Sequence, residues 1–192
     1  WSYLQEGVSG YNYYRIADGE RPDALASRLY GDGTMYWTFF LVNENLQDFN
    51  DWAMSGQLLH KFIRRKYSGT VLQASSSTDI VSFNHDTNVS SKFTLGEKVS
   101  QSSSGAYGFV TKIDPTNNRI VLNSTVGTFT NNTVVGSEST KSFTVTSVVE
   151  EQDAVHHYID SGGLLTTVPT NNTPISNEKY ERELNEEKHL IR

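Results

Sequence analysis

RPDALASRLYGDGTMYWTFFLVNEN, residues 21–45, decides how this chain is read. Pro22 and Asp23 suit the first turn of a helix, where a missing N–H costs nothing and an acid meets the positive helix end. Leu25 and Leu29 share a face, extended by Ala26 and Tyr30. Gly31 and Gly33 bracket the stop, as a left-handed cap requires. Thr34 is placed to cap a second helix over Met35–Glu44. That helix carries Tyr36, Trp37, Phe39 and Phe40, a wider apolar stripe than a two-helix unit easily buries. Some of these rings pack against Leu25, Leu29 and Tyr30, with Trp37 and Phe40 assigned to the core. The others are free for another chain.

Outward from this stretch the segment 1–70 reads as mixed α and β. Tyr11–Ile16 alternates as a strand and ends at Ala17-Asp18-Gly19. The loop after the second helix adds Phe49 and Trp52. A third helix is expected over Ser55–Tyr67, apolar at Leu58, Leu59, Phe62 and Ile63 and basic at Lys61, Arg64, Arg65 and Lys66.

Residues 71–150 differ in composition: Ser and Thr make up 27 of these 80 positions, which disfavours helix. Short β runs are expected at Ile80–Phe83, Glu97–Gln101, Tyr107–Ile113, Arg119–Asn123 and Ser142–Val149. Asp114-Pro115-Thr116-Asn117-Asn118 is a turn, with proline presetting one dihedral and asparagine tolerating left-handed geometry. Five or six such strands imply a small barrel or sandwich, joined through a linker at Gln73–Thr78. Its unlike composition marks it as inserted between its neighbours.

Residues 151–192 hold a strand at His156–Ile159, a loop at Val168–Pro174, and a charged helix over Glu178–Arg192 capped by Ser176. Its thin apolar seam, Tyr180, Leu184 and Leu190 or Ile191, calls for a covering partner. The expected organisation is therefore α+β in three parts: a core at 1–70, a β-rich module at 71–150, and a strand, loop and helix at 151–192 that return to the core or dock on partners.

Bulk properties exclude several classes. The chain has 192 residues, no cysteine and a net charge of -6, so thiolate metal sites and disulfides are out. Acidic excess collects at 151–192, with 8 acidic against 4 basic side chains. No basic footprint for nucleic acid is present, and no apolar run long enough to span a bilayer. The sequence has no P-loop, H-E-x-x-H, G-x-S-x-G or dinucleotide fingerprint. His156 and His157 are neighbours on a strand and are expected on opposite faces. Asp48 and Asp51 lie near Trp52, but carboxylates in a loop between helices are usually caps. No catalytic, cofactor or metal residue is expected. The cluster His60-Lys61-x-x-Arg64-Arg65-Lys66 is either a solvated helix face or a dock for an acidic neighbour, to which arginine pairs bidentately.

The ordered set Tyr13-Tyr14, Arg21-Pro22, Leu25-Ala26, Tyr30-Gly31, Tyr36-Trp37, Asn43-x-Asn45, Trp52 and Ser55 resembles the baseplate wedge protein family of T-even-type contractile-tailed phages, which has a LysM-like core. The charged helix around Tyr180–Arg192 also resembles that family's C-terminal region. The resemblance implies a strand–helix–helix core with a return strand and structural, non-enzymatic work. It implies clamping of wedge core proteins and of the sheath-initiating component in a six-fold assembly, with neighbouring wedges joined. It implies a place in the virion tail baseplate, assembled in the host bacterial cytoplasm, with neither nucleic acid nor membrane as partner. The partner-binding residues expected on this reading are Tyr36, Phe49, Trp52, Lys61, Arg64, Arg65, Tyr180 and Leu184. The alternative is a LysM module that binds peptidoglycan through an open groove and Trp52.

Overall fold

The computed structural model describes residues 13–74 and 88–192 and is α+β. The strand expected at Ile80–Phe83 and the 75–78 part of the expected linker lie outside these residues. The chain divides into two compact units: residues 1–63 with 179–192, and residues 64–178.

The first unit starts with β1 (Tyr14–Arg15) and α1 (Pro22–Tyr30). Helix α1 begins and ends as its sequence dictates, with Pro22 in the first turn and Gly31 at φ 76°, donating its N–H to Ser27 O (3.0 Å). The second helix differs from expectation. Asp32, not Thr34, provides the cap, its carboxylate accepting from Thr34 N–H (2.9 Å) and Oγ1 (2.8 Å). The chain then makes a 3₁₀ turn at Gly33–Tyr36 before a short α2 (Trp37–Val42). That tighter start turns the aromatics, and Phe39 becomes the buried ring while Trp37 is 51% exposed. Assigning Trp37 to the core was therefore incorrect. Leu25 and Ala26 point inward and Leu29 and Tyr30 outward, although Tyr30 stacks on Phe39 (5.7 Å between centroids). Helix α3 (Gly56–Lys66) buries Leu59 and Ile63 and leaves Leu58 and Phe62 exposed.

The core of this unit is Ile16, Leu25, Ala26, Phe39, Leu46, Trp52, Ala53 and Ile191. Its last member arrives from the far end of the chain. Helix α4 (Asn177–Lys188) stops short of the expected Arg192, and Leu190–Ile191 form β11, antiparallel to β1 with Tyr14 opposite Ile191. The expected apolar seam is replaced by a polar one. Glu181, Asn185 and His189, spaced four apart, are buried, while Leu184 and Leu190 are 37% and 51% exposed.

The second unit is built on a closed barrel of six antiparallel strands in the order β2-β5-β4-β3-β6-β7. The strands are β2 (Thr70–Ala74), β3 (Lys98–Gln101), β4 (Ala106–Asp114), β5 (Arg119–Val126), β6 (Thr133–Gly136) and β7 (Ser142–Glu150). Inward residues Leu72, Val99, Val110, Ile120, Leu122, Val134, Phe143 and Val145 fill it, and Val89, Phe93 and Phe129 close it. The turn at 114–118 has the expected chemistry: Asn118 is left-handed (φ 49°), and Asp114 accepts from Asn117 N–H (3.2 Å). Strands β8 (Val155–Ile159), β9 (Leu165–Thr166) and β10 (Thr173–Ser176) form a separate sheet in the order β10-β8-β9. On β8 the rings of His156 and His157 do not separate as expected; they turn toward each other, with their Nδ1 atoms 2.9 Å apart.

Two buried polar side chains, Glu97 just before β3 and Gln101 at its end, organise the barrel. Gln101 accepts from Thr130 N–H (2.8 Å) and donates to Thr130 O (2.9 Å). Glu97, 1% exposed, accepts from Ser139 N–H and Oγ (2.7 Å each) and from Glu138 and Thr94 N–H (3.1 Å each). Gly136 has no side chain because a methyl there would collide with this carboxylate. Burial pushes the Glu97 carboxyl up, but the hydrogen bonds from Ser139, Thr94 and Glu138 outweigh it and hold the carboxyl below its ordinary value. A depressed folded-state pKa stabilises above the unfolded value, and that stability is lost as pH falls through the folded one. Glu97→Gln is expected to cost about 1–3 kcal/mol near neutral pH and to flatten the acid side of the stability profile. Thermal melts of both proteins across the acid range check this; parallel acid limbs would remove Glu97 as the titrating group.

Candidate interaction surface

Trp52 is the pivot of the surface. It is 8% exposed, its indole Nε1 donates to Glu20 O (2.6 Å), and its ring packs on Phe39 (5.8 Å) and Phe40 (5.9 Å). Phe40 meets Tyr36 edge-on at 6.3 Å, and Tyr36 meets Phe49 edge-on at 6.5 Å. Ring contacts thus run without a break from a buried tryptophan to Tyr36 and Phe49, which are 40% and 55% exposed. Trp37 and Leu41 also stand exposed on α2. Large rings held from behind lose little freedom when covered, which is what an interface anchor needs.

The neighbouring carboxylates have local structural duties. Asp48 accepts from Asn50 N–H (2.7 Å), and Asp51 accepts from Gln47 N–H (3.1 Å) and Asp48 N–H (3.3 Å), a reciprocal cap around the turn Phe49–Asp51. They fix the backbone that carries Phe49. Among the described residues no three His, Asp or Glu side chains gather as a metal site. No helix among them is long and apolar enough to cross a membrane.

The residues expected at partner contacts fall in three places. Tyr36 and Phe49 lie in the exposed aromatic cluster and Trp52 beneath it. Lys61, Arg64 and Arg65 are exposed on α3, and Tyr180 and Leu184 lie on α4, half-buried and exposed respectively. The reading from sequence missed the polar seam that seats α4. Asn185 accepts from Met54 N–H (2.8 Å) and donates to Met54 O (3.0 Å), pairing with the backbone as a strand would. His189 Nδ1 donates to Ile16 O (2.9 Å), and its own carbonyl accepts from Ile16 N–H (2.8 Å). Its Nε2 then accepts from Asn185 Nδ2 (3.3 Å). Arg192 N–H donates to Asn43 Oδ1 (2.8 Å), while Asn43 Nδ2 donates to Phe39 O (2.8 Å). The only signal in the sequence was the i, i+4, i+8 spacing of Glu181, Asn185 and His189, which an apolar count overlooks. An open cleft of about 700 Å³ lies between β1, α3 and α4, and much of its charge is internally paired, Arg15 with Glu186 and Lys179 with Glu183 (3.8 Å).

Together these features define a small α+β unit that carries an aromatic surface continuous with its core. Part of its sequence is similar to a known kind: residues 2–84 match the family model described as base plate wedge protein 53. That match bears out the resemblance read from the sequence, and it ends before the C-terminal helix. A 67-residue stretch is 28% identical to the baseplate wedge protein gp53 of Enterobacteria phage T4, covering 34% of each chain. The match thus spans about a third of the length of that relative. No solved structure matches.

Replacing Asn185 with alanine leaves the N–H and carbonyl of the half-buried Met54 without their side-chain partner. The expected cost is about 1–3 kcal/mol, with faster amide exchange at Met54, Ile16 and Ile191. Replacing the outward Leu184 with alanine is expected to stay within about 0.5 kcal/mol. Denaturation of both variants by urea, with exchange followed by mass spectrometry, separates the polar seam from the apolar one.

Proposed function

We propose that this protein is a structural component of a contractile phage tail baseplate, joined to other wedge proteins through the aromatic face of its first unit. One observation carries the reading: the match to the wedge family covers the residues that form that face, Tyr36, Trp37 and Phe49. The finer part of the proposal is mechanical. The first unit clamps helices of wedge core proteins and of the sheath-initiating component, and so joins neighbouring wedges around a six-fold ring. Trp52 holds the clamp rigid from behind, and Lys61, Arg64 and Arg65 meet acidic neighbours. A LysM-like relationship of this unit is supported by its order, strand β1 followed by two helices, with β11 as the antiparallel return strand. The glycan-binding alternative needs an open Trp52 ring, and the burial of that ring favours the structural role.

Quantitative mass spectrometry of gently purified tails is the direct test. A copy number of about six, or a small multiple, is expected for a six-fold ring; absence from particles would overturn the proposal. In the same system the double variant Tyr36→Ala/Phe49→Ala is expected to fold with a stability change of about 1 kcal/mol or less, yet to be lost from particles. Unchanged incorporation would move the contact surface elsewhere.

A further inference from the structure

We infer that α3 of one copy pairs with α4 of another, so that the protein associates with itself. The two helices present exposed stripes of identical spacing and opposite charge. On α3, Leu58, Lys61, Phe62 and Arg65 follow the i, i+3, i+4, i+7 rhythm of one helix face. Leu58 is 58% and Phe62 37% exposed, and both cations are exposed. On α4 the same rhythm gives Tyr180, Glu183, Leu184 and Glu187, with Leu184 37% exposed and both acids exposed. Each stripe alternates an apolar side chain with a charge, basic on one helix and acidic on the other. Each stripe is fixed by the geometry of a single helix.

The charges on these stripes are available. Arg15, Arg21, Arg28 and Arg119 each hold a carboxylate, and Arg182 and Arg192 are engaged elsewhere. Among the described residues the side chains of Lys61, Arg64, Arg65 and Glu187 have no ion-pair partner. Glu183 has only Lys179, at 3.8 Å across one helical turn, a contact weak enough to exchange. In a chain with net charge -6, an unpaired basic stripe is complementary to the chain's own acidic helix. Two helices of 11 and 12 residues bury less area than a stable dimer interface. The association is therefore weak in dilute solution and gains strength where copies are held side by side. It does not depend on the role proposed above.

Sedimentation velocity of the purified full chain tests it. The weight-average mass is expected to rise above 21.5 kDa with concentration and to fall back as salt is raised. The variant Lys61→Glu/Arg65→Glu and the variant Glu183→Lys/Glu187→Lys are each expected to remain monomeric, with unchanged circular dichroism. Mixed in equal amounts, they are expected to associate again, because each then offers the charge the other lacks. A monomer at every concentration, association untouched by reversal, or no recovery on mixing would each overturn the inference.

Discussion

The first unit depends on the return of residues 185–192 to a strand laid down at the start of the described chain. Ile191 enters the core, and the Asn185 and His189 side chains satisfy backbone groups of the half-buried Met54 and the buried Ile16. Backbone polar groups in an interior must be paired. A two-residue strand such as β1 supplies little pairing of its own, so side chains finish the work. The aromatic surface inherits its rigidity from this closure, because Asn43, which receives Arg192 N–H, also holds the carbonyl of Phe39. Closure therefore waits on contacts across more than 130 residues, and the intervening barrel can form first from nearer pairings.

The two units reach order by different physics. The barrel closes its hydrogen bonding around an apolar interior and uses Glu97 and Gln101 to tie loops to strand ends. The first unit has few strand residues, and its order comes from ring packing and from side chains that bond to the backbone. A polar residue is a better tie than an apolar one in such places, since it satisfies a donor and an acceptor while filling space.

Much of this was legible in the sequence, for identifiable reasons. Helix α1 was written in Pro22 and Gly31, the 114–118 turn in its proline and asparagines, and β4, β5 and β7 in β-rich runs between turns. Strand β6 escaped notice because Thr133–Gly136 is too short to show alternation, and β2 because it follows a helix without a break in composition. In the candidate surface, spacing announced a surplus of aromatics but not which rings face out. Asp32 moved the turn into 3₁₀ geometry, and a change of pitch by a fraction of a residue exchanges Phe39 for Trp37. Tyr36 and Phe49 were placed outside and Trp52 beside them, whereas Trp52 lies beneath. The buried seam of α4 was hidden because it is written in Glu, Asn and His, residues ordinarily read as solvent-facing.

Closure of the barrel bears on behaviour in crowded surroundings. An open sheet edge carries unspent hydrogen-bonding groups and invites strand-by-strand growth into aggregates. The barrel has no such rim around its circumference. The smaller sheet ends on one side in β9, only two residues long, and on the other in β10, interrupted by Pro174. The β1–β11 ribbon is two residues deep. Among the described residues, copies packed at high local density thus find little backbone to polymerise on. Recognition between them is left to side chains, which can discriminate one neighbour from another where a bare strand edge cannot.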